Sequence, residues 1–168
     1  SRYTERHTLD LYVYVRVRVG ARDHLGYSLG AACVEVNGSC VSDVVVDPAL
    51  PVRVRASEVV DLGVGARAVF LGWGDGVGGA VREERFSRSV SLTANYERQY
   101  RVVVVDRLGK ASLDRWVRAG DSVYISPPSY VEEGGGSRWR LAGVSGCGVG
   151  RVVVDRPLQC TVEWVRQF

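Results

Sequence analysis

The sequence predicts an all-β fold of two small β-sandwich-like modules in tandem, and three observations carry that prediction. Apolar residues alternate with polar ones at period two over several short stretches, the spacing that turns one face of a strand toward a core. Glycine and proline punctuate the chain between those stretches, 20 Gly and 5 Pro in 168 residues, so the strands are short and joined by turns. The third observation is repetition. Leu92-Thr93-Ala94-Asn95-Tyr96-Glu97-Arg98-Gln99-Tyr100 and Cys160-Thr161-Val162-Glu163-Trp164-Val165-Arg166-Gln167-Phe168 both close on aromatic, any residue, Arg-Gln, aromatic. Upstream of each, Gly65-Ala66-Arg67-Ala68-Val69-Phe70-Leu71-Gly72-Trp73 parallels Gly136-Ser137-Arg138-Trp139-Arg140-Leu141-Ala142-Gly143-Val144. Two matches in the same order at nearly the same spacing mean two copies of one module. Gly72 is then the equivalent of Gly143, and Tyr96 that of Trp164.

The elements follow in order. Between His7 and Val19, the residues His7, Leu9, Leu11, Val13, Val15, Val17 and Val19 face one way and Thr8, Asp10, Tyr12, Tyr14, Arg16 and Arg18 the other. That is a long strand with one apolar face. Residues 1–19 are expected as an N-terminal strand, 20–100 as the first module and 101–168 as the second. Asn37-Gly38, between Cys33-Val34-Glu35-Val36 and Ser39-Cys40-Val41, is a favoured two-residue hairpin turn, because a type I′ turn needs positive φ at both central positions. Pro48 and Pro51 bracket a turn, after which Val52, Val54 and Ala56 alternate with Arg53 and Arg55. Further strands are expected at 68–73, 90–96, 99–105, 122–126, 139–144, 150–154 and 161–168. Residues 111–119 are the one stretch expected as a helical turn.

Composition narrows the function. The net charge is +3, and Lys110 is the single lysine among 22 basic residues. Arginines scattered through strands do not make the basic patch that nucleic acid requires, so no nucleic-acid partner is expected. No stretch approaches the roughly 20 apolar residues of a spanning helix, so no membrane span is expected either. Arginine in place of lysine, with no Met, is mainly a high-GC compositional signature and also one of a thermophilic source, where ion-pair networks would be its use. The four cysteines fall as local pairs, Cys33 with Cys40 and Cys147 with Cys160, one in each module. Local pairing predicts two disulfides and hence an oxidising, extracellular setting, and a closed loop of about 15 residues is worth roughly 3 kcal/mol. Their spacing is not that of a zinc site.

Chemistry-bearing candidates are few. His7 reads as a histidine at the edge of a core, and neither it nor His24 has a nucleophile in a recognisable setting. Residues 72–79 read as a plain glycine loop, lacking the Lys-Ser/Thr of a phosphate loop and the acidic spacing of a calcium loop. Glu132 and Glu133 with Asp75 are the only carboxylates weighed as an acid/base pair for glycoside hydrolysis, and nothing in the sequence brings them together. Asn37-Gly38-Ser39 is an N-glycosylation sequon on the hairpin turn, so Asn37 is expected to carry a glycan.

The second copy, carried by Gln99-Tyr100-Arg101-Val102-Val103-Val104, 116–120, 136–144 and 162–168, and the first, carried by 65–73 and 94–100, resemble the divergent InlB B-repeat-like modules and the tandem β-modules of archaeal secreted and surface-layer-associated proteins. The resemblance covers residues 52–168, with Val144 standing where those modules usually have Trp. It implies a cell-surface or structural role. The expected function is a non-enzymatic extracellular structural protein, the subunit of a surface filament or surface layer. Its partner is itself, head to tail, with Leu9, Leu11, Val13, Val15 and Val17 of one subunit completing the sheet and filling the core of the next. Other surface proteins or glycans are further expected partners. The alternative is a carbohydrate- or partner-binding module of a secreted enzyme or protease, presenting Tyr12, Tyr14, Tyr124, Tyr130 and Trp116. No catalytic residue, metal or cofactor is assigned.

Overall fold

The computed structural model describes residues 13–168, and these form strands and turns with no helix among them. They gather into two compact units. One runs to Val60 and resumes over Val69–Tyr96, and the other takes Asp61–Ala68 and Glu97–Phe168.

The first unit holds β1 (Val15–Asp23), β2 (Val34–Val36), β3 (Ser39–Cys40), β4 (Asp43–Val46), β5 (Val52–Ala56) and β8 (Val81–Glu84). It also holds parts of β6 (Val59–Gly63), β7 (Ala66–Trp73) and β9 (Val90–Val105), strands whose other residues belong to the second unit. β1 is antiparallel to β4, with Val15 opposite Val46, and parallel to β9, with Val17 opposite Val90 and Asp23 opposite Tyr96. β9 pairs in turn with β7, and β7 with β6, giving the order β4-β1-β9-β7-β6. A second, antiparallel sheet has the order β3-β2-β5-β8. Burial follows the alternation in the sequence: Val15, Val17 and Val19 are buried on β1, and Val52, Val54 and Ala56 on β5, while the arginines between them are exposed. Full burial of one such side chain is worth roughly 1.5–3 kcal/mol, an upper estimate because unfolded chains already hide some apolar area. Tyr96 is completely buried, meets Phe70 edge-on at 5.6 Å between centroids and donates its hydroxyl to the Ser57 carbonyl at 2.6 Å.

In the second unit follow β10 (Leu113–Arg118), β11 (Ser122–Ile125), β12 (Tyr130–Gly134), β13 (Ser137–Ser145), β14 (Gly150–Val153) and β15 (Leu158–Gln167). The later half of β9 pairs antiparallel with β10 and parallel with β15, Val102 lying opposite Leu158. β15 pairs with β13 and β13 with β12, both antiparallel, so the order is β10-β9-β15-β13-β12. β11 and β14 form a separate antiparallel pair. The core gathers Val102, Val123, Val154, Cys160, Val162 and Trp164.

The two orders match strand for strand, each with its first strand parallel to its last. β4, β5, β6, β7, β8 and β9 correspond to β10, β11, β12, β13, β14 and β15, and β2 and β3 have no counterpart among the described residues. Gly72 and Gly143 sit on the corresponding β7 and β13 with φ of 156° and 153°, and the β13 register slips between Leu141 and Gly143. A bulge at positive φ is a place for glycine. Tyr96 and Trp164 lie buried on the corresponding β9 and β15.

The structure departs from the sequence-based expectation in several places. Residues 111–119 contain β10 rather than a helical turn, because pairing Val117 with Tyr100 and Leu113 with Val104 outweighs the local spacing. The units divide at Tyr96 and exchange 61–68, rather than dividing into 20–100 and 101–168. Val15 and Val17, expected to fill a neighbouring subunit, are 6% and 0% exposed within their own unit. β1 has partners on both edges there, so its backbone groups are satisfied and its apolar face buried without a second molecule. Val13 is 71% exposed, and Leu9 and Leu11 lie outside the described residues. Any donated segment therefore precedes Val15.

Candidate assembly and modification sites

Cys33 is joined to Cys40 across the β2–β3 hairpin with 5.5 Å between Cα atoms, and Cys147 to Cys160 with 5.7 Å, tying the turn after β13 to β15. Asn37 and Gly38 form the hairpin turn with φ of 50° and 88°. The Asn37 side chain has a job of its own. Its Oδ1 accepts from the Arg53 N–H at 3.0 Å while its N–H donates to the Arg53 carbonyl at 2.8 Å. It thereby extends the β2–β5 ladder past Val36 and Val54. Asn37→Ala should lower stability by about 1–2 kcal/mol, one part from a left-handed φ without a side-chain hydrogen bond and one from the lost acceptor. Asn37→Asp keeps the acceptor and should melt close to wild type in thermal denaturation; equal melting of Ala and Asp variants would show that the carboxamide bond contributes nothing.

The glycine loop after β7 is closed by an ion cluster around one buried arginine. Arg82, its side chain 5% exposed, holds Asp75 through two bonds of 2.9 and 2.7 Å and Glu84 through one of 2.6 Å. Its guanidinium lies 5.5 Å from the Trp73 ring centre, and the Trp73 indole N–H donates to the Gly79 carbonyl at 2.8 Å. The hydrogen bonds from Arg82 hold the Asp75 carboxyl below its usual range. Glu133 pairs with Arg166 at 2.9 Å in the second unit. Of the three carboxylates considered as catalytic candidates, Asp75 and Glu133 are thus spent on arginines, and Glu132 is exposed. His24 lies in the turn after β1, and His7 is outside the described residues.

Arginine also covers the aromatic rings that a sugar would stack on. Arg67 lies 4.2 Å from the Trp116 ring centre and Arg138 lies 3.9 Å from that of Tyr130, and both contacts are cation–π pairs. Tyr14 and Tyr124 are 58% and 72% exposed, and Tyr12 is outside the described residues.

One buried polar centre has no forerunner in the sequence-based expectation. Asp106, at the end of β9, accepts from the N–H groups of Leu108, Lys110 and Ala111 at 3.0, 2.8 and 2.8 Å and from the Trp164 indole at 2.8 Å. Asp23, at the end of β1, accepts in the same way from Leu25 and Tyr27 at 3.0 and 2.9 Å. Gly26 and Gly109 close the two turns on the Asp23 and Asp106 carbonyls, both at 3.0 Å. The signal was present as Asp23-His24-Leu25-Gly26 and Asp106-Arg107-Leu108-Gly109. Burial would raise the Asp106 carboxyl, but the Trp164 bond and the three backbone donors outweigh it and hold the group below its usual range.

No protein-family model and no curated protein matches the chain. Among solved structures it is similar to the Streptococcal High Identity Repeats in Tandem (SHIRT) domains 3-4 from a cell surface protein, at 11% identity and a TM-score of 0.29, over 91% of this chain and 99% of that one. A likeness that distant carries no argument about what this chain does. The resemblance to InlB-like and archaeal modules has no match behind it, and the tandem architecture rests on the strands themselves. Among the described residues no helix is long and apolar enough to cross a membrane.

Proposed function

We propose that the chain is a non-enzymatic structural protein of the cell exterior, assembling head to tail with copies of itself. The observation that carries this reading is the strand order built twice, β4-β1-β9-β7-β6 and β10-β9-β15-β13-β12. Repetition multiplies one packing solution and gathers no set of unlike reactive side chains, which suits a building material better than an enzyme. Two disulfides suit an oxidising compartment. Residues 7–13 are the donor in this reading, because their alternation continues that of β1 without a break. Asn37, exposed on its turn, carries the glycan. Its Oδ1 is held by Arg53, and Nδ2 is the atom that the sugar would take. The Asn37→Asp protein from the native host should be lighter by that glycan, and an unmodified wild-type Asn37 peptide would remove it from the reading. The sugar-binding alternative keeps Tyr124 as its exposed ring.

Negative-stain microscopy and sedimentation of the oxidised protein over a concentration series test the assembly. Linear polymers that lengthen with concentration are expected. A protein that stays monomeric at every concentration overturns self-assembly.

A further inference from the structure

In the first unit β5 is paired on both edges, by β8 and by β2. β2 brings more than a ladder, since Val34 and Val36 enter the core at 4% and 5% exposure. Between them Glu35 faces outward and meets Arg55 of β5 at 3.3 Å. The second unit has β11 in the place of β5 and β14 in the place of β8, but among the described residues nothing stands in the place of β2.

The backbone of β11 shows which groups are left over. Val154 N–H donates to the Asp121 carbonyl at 2.8 Å, so by the alternation of an antiparallel ladder Asp121, Val123 and Ile125 face β14. Ser122 and Tyr124 then aim their N–H and C=O at the opposite edge. Arg53 and Arg55 do the same on β5: Ala56 N–H donates to Ala80 on the β8 side, and Arg53 receives the Asn37 N–H on the β2 side. A groove of about 270 Å³ opens along β11, lined by Ala111, Leu113, Tyr124 and Ile125 among others.

We propose that this edge of β11 is the acceptor for residues 7–13 of a second copy, which add to β11 as β2 adds to β5. The inference rests on the head-to-tail reading above and names its docking site. Pattern identifies the occupant. Leu9-Asp10-Leu11 repeats the apolar-acid-apolar order of Val34-Glu35-Val36, and it belongs to the stretch of chain ahead of the described residues. Leu9 and Leu11 enter the groove as the two valines enter the first core. Asp10 faces outward beside Tyr124, whose hydroxyl donates where Arg55 does in the first unit. An unpaired strand edge attracts such a segment because each added residue satisfies backbone groups that water alone now serves.

Two full-length variants separate donor from acceptor. Tyr124→Pro removes an N–H from the free edge and leaves the Val123 and Ile125 bonds to β14, while its own residues 7–13 stay intact. Leu9→Asp/Leu11→Asp spoils the donor and leaves the edge open. Each alone should stay monomeric, and the two mixed should form a one-to-one dimer that grows no further. Hydrogen exchange of wild type gives a reading independent of any variant, with protection of the Ser122 and Tyr124 amides, which face the free edge, rising with protein concentration while Val123 and Ile125 stay protected by β14 throughout. Tyr124→Pro chains that polymerise like wild type would place the acceptor elsewhere and leave head-to-tail assembly standing. Polymerisation of the Leu9→Asp/Leu11→Asp chain would reject residues 7–13 as donor. Protection of the Ser122 and Tyr124 amides at every dilution would mean the edge is filled within one chain, overturning the proposal. A wild type that never associates would overturn this proposal and the assembly reading together.

Discussion

Val17→Asp is expected to unfold the first unit, and Val13→Asp to leave it folded. Val17, the third residue of β1, is fully buried, opposite Val44 on one side and Val90 on the other. A carboxylate there has no cation to pair with on the apolar face it would occupy, and burying it unpaired or protonated costs about 4–5 kcal/mol or more. That is a large share of the roughly 5–15 kcal/mol that holds a domain folded. Val13 is 71% exposed and precedes the first ladder bond of β1, so charge there costs the unit little. Near-ultraviolet circular dichroism and hydrogen exchange over 90–96 would read the difference. The outcome against the present view is a Val17→Asp chain that keeps wild-type protection in β9, because β1 would then not belong to its own core. In that event the long strand would be free for a neighbour over its whole length.

What the sequence disclosed and what it hid follow from where the stabilising contacts lie. Strands with one face in a core announce themselves by alternation, as Val15-Arg16-Val17-Arg18-Val19 and Val52-Arg53-Val54-Arg55-Ala56 do, and Asn37-Gly38 announces its turn by the φ it must adopt. β4, β6, β8 and β12 were not foreseen. Each is short, lies at the edge of its sheet and is made a strand by one partner rather than by pattern. β9 looked like two strands because Glu97-Arg98-Gln99 breaks the alternation; it is continuous because β1 pairs with its first half and β15 with its second. Cysteine spacing disclosed the pairs that the structure joins. The Asp106 centre was hidden because its partner Trp164 is remote in sequence, and an aspartate before Leu-Gly reads as an ordinary turn. The open edge of β11 was hidden more deeply, since it shows only when the two units are compared strand by strand and nothing among the described residues stands in the place of β2.

Asp106→Ala should destabilise the second unit by about 3 kcal/mol or more, with a dependence on pH that identifies the cause. The substitution leaves three turn amides and the Trp164 indole without their acceptor. Water can reach part of the turn, but Trp164 is only 7% exposed, and a buried donor left unmatched costs about 1–3 kcal/mol by itself. The folded state holds the Asp106 carboxyl below its ordinary value, so the unfolded chain binds this proton more readily. The stabilisation is therefore present above the unfolded value of about 3.9 and is lost as pH falls through the lower folded value. Denaturant melts of wild type and Asp106→Ala should differ most near neutral pH and converge in acid, where the wild-type carboxyl is protonated. Other carboxylates titrate alike in both proteins, so the difference between the two curves isolates this one. A gap that stays constant from neutral pH down to strong acid would show that the side chain acts by filling space, and that its charge and four bonds do not hold the turn to β15.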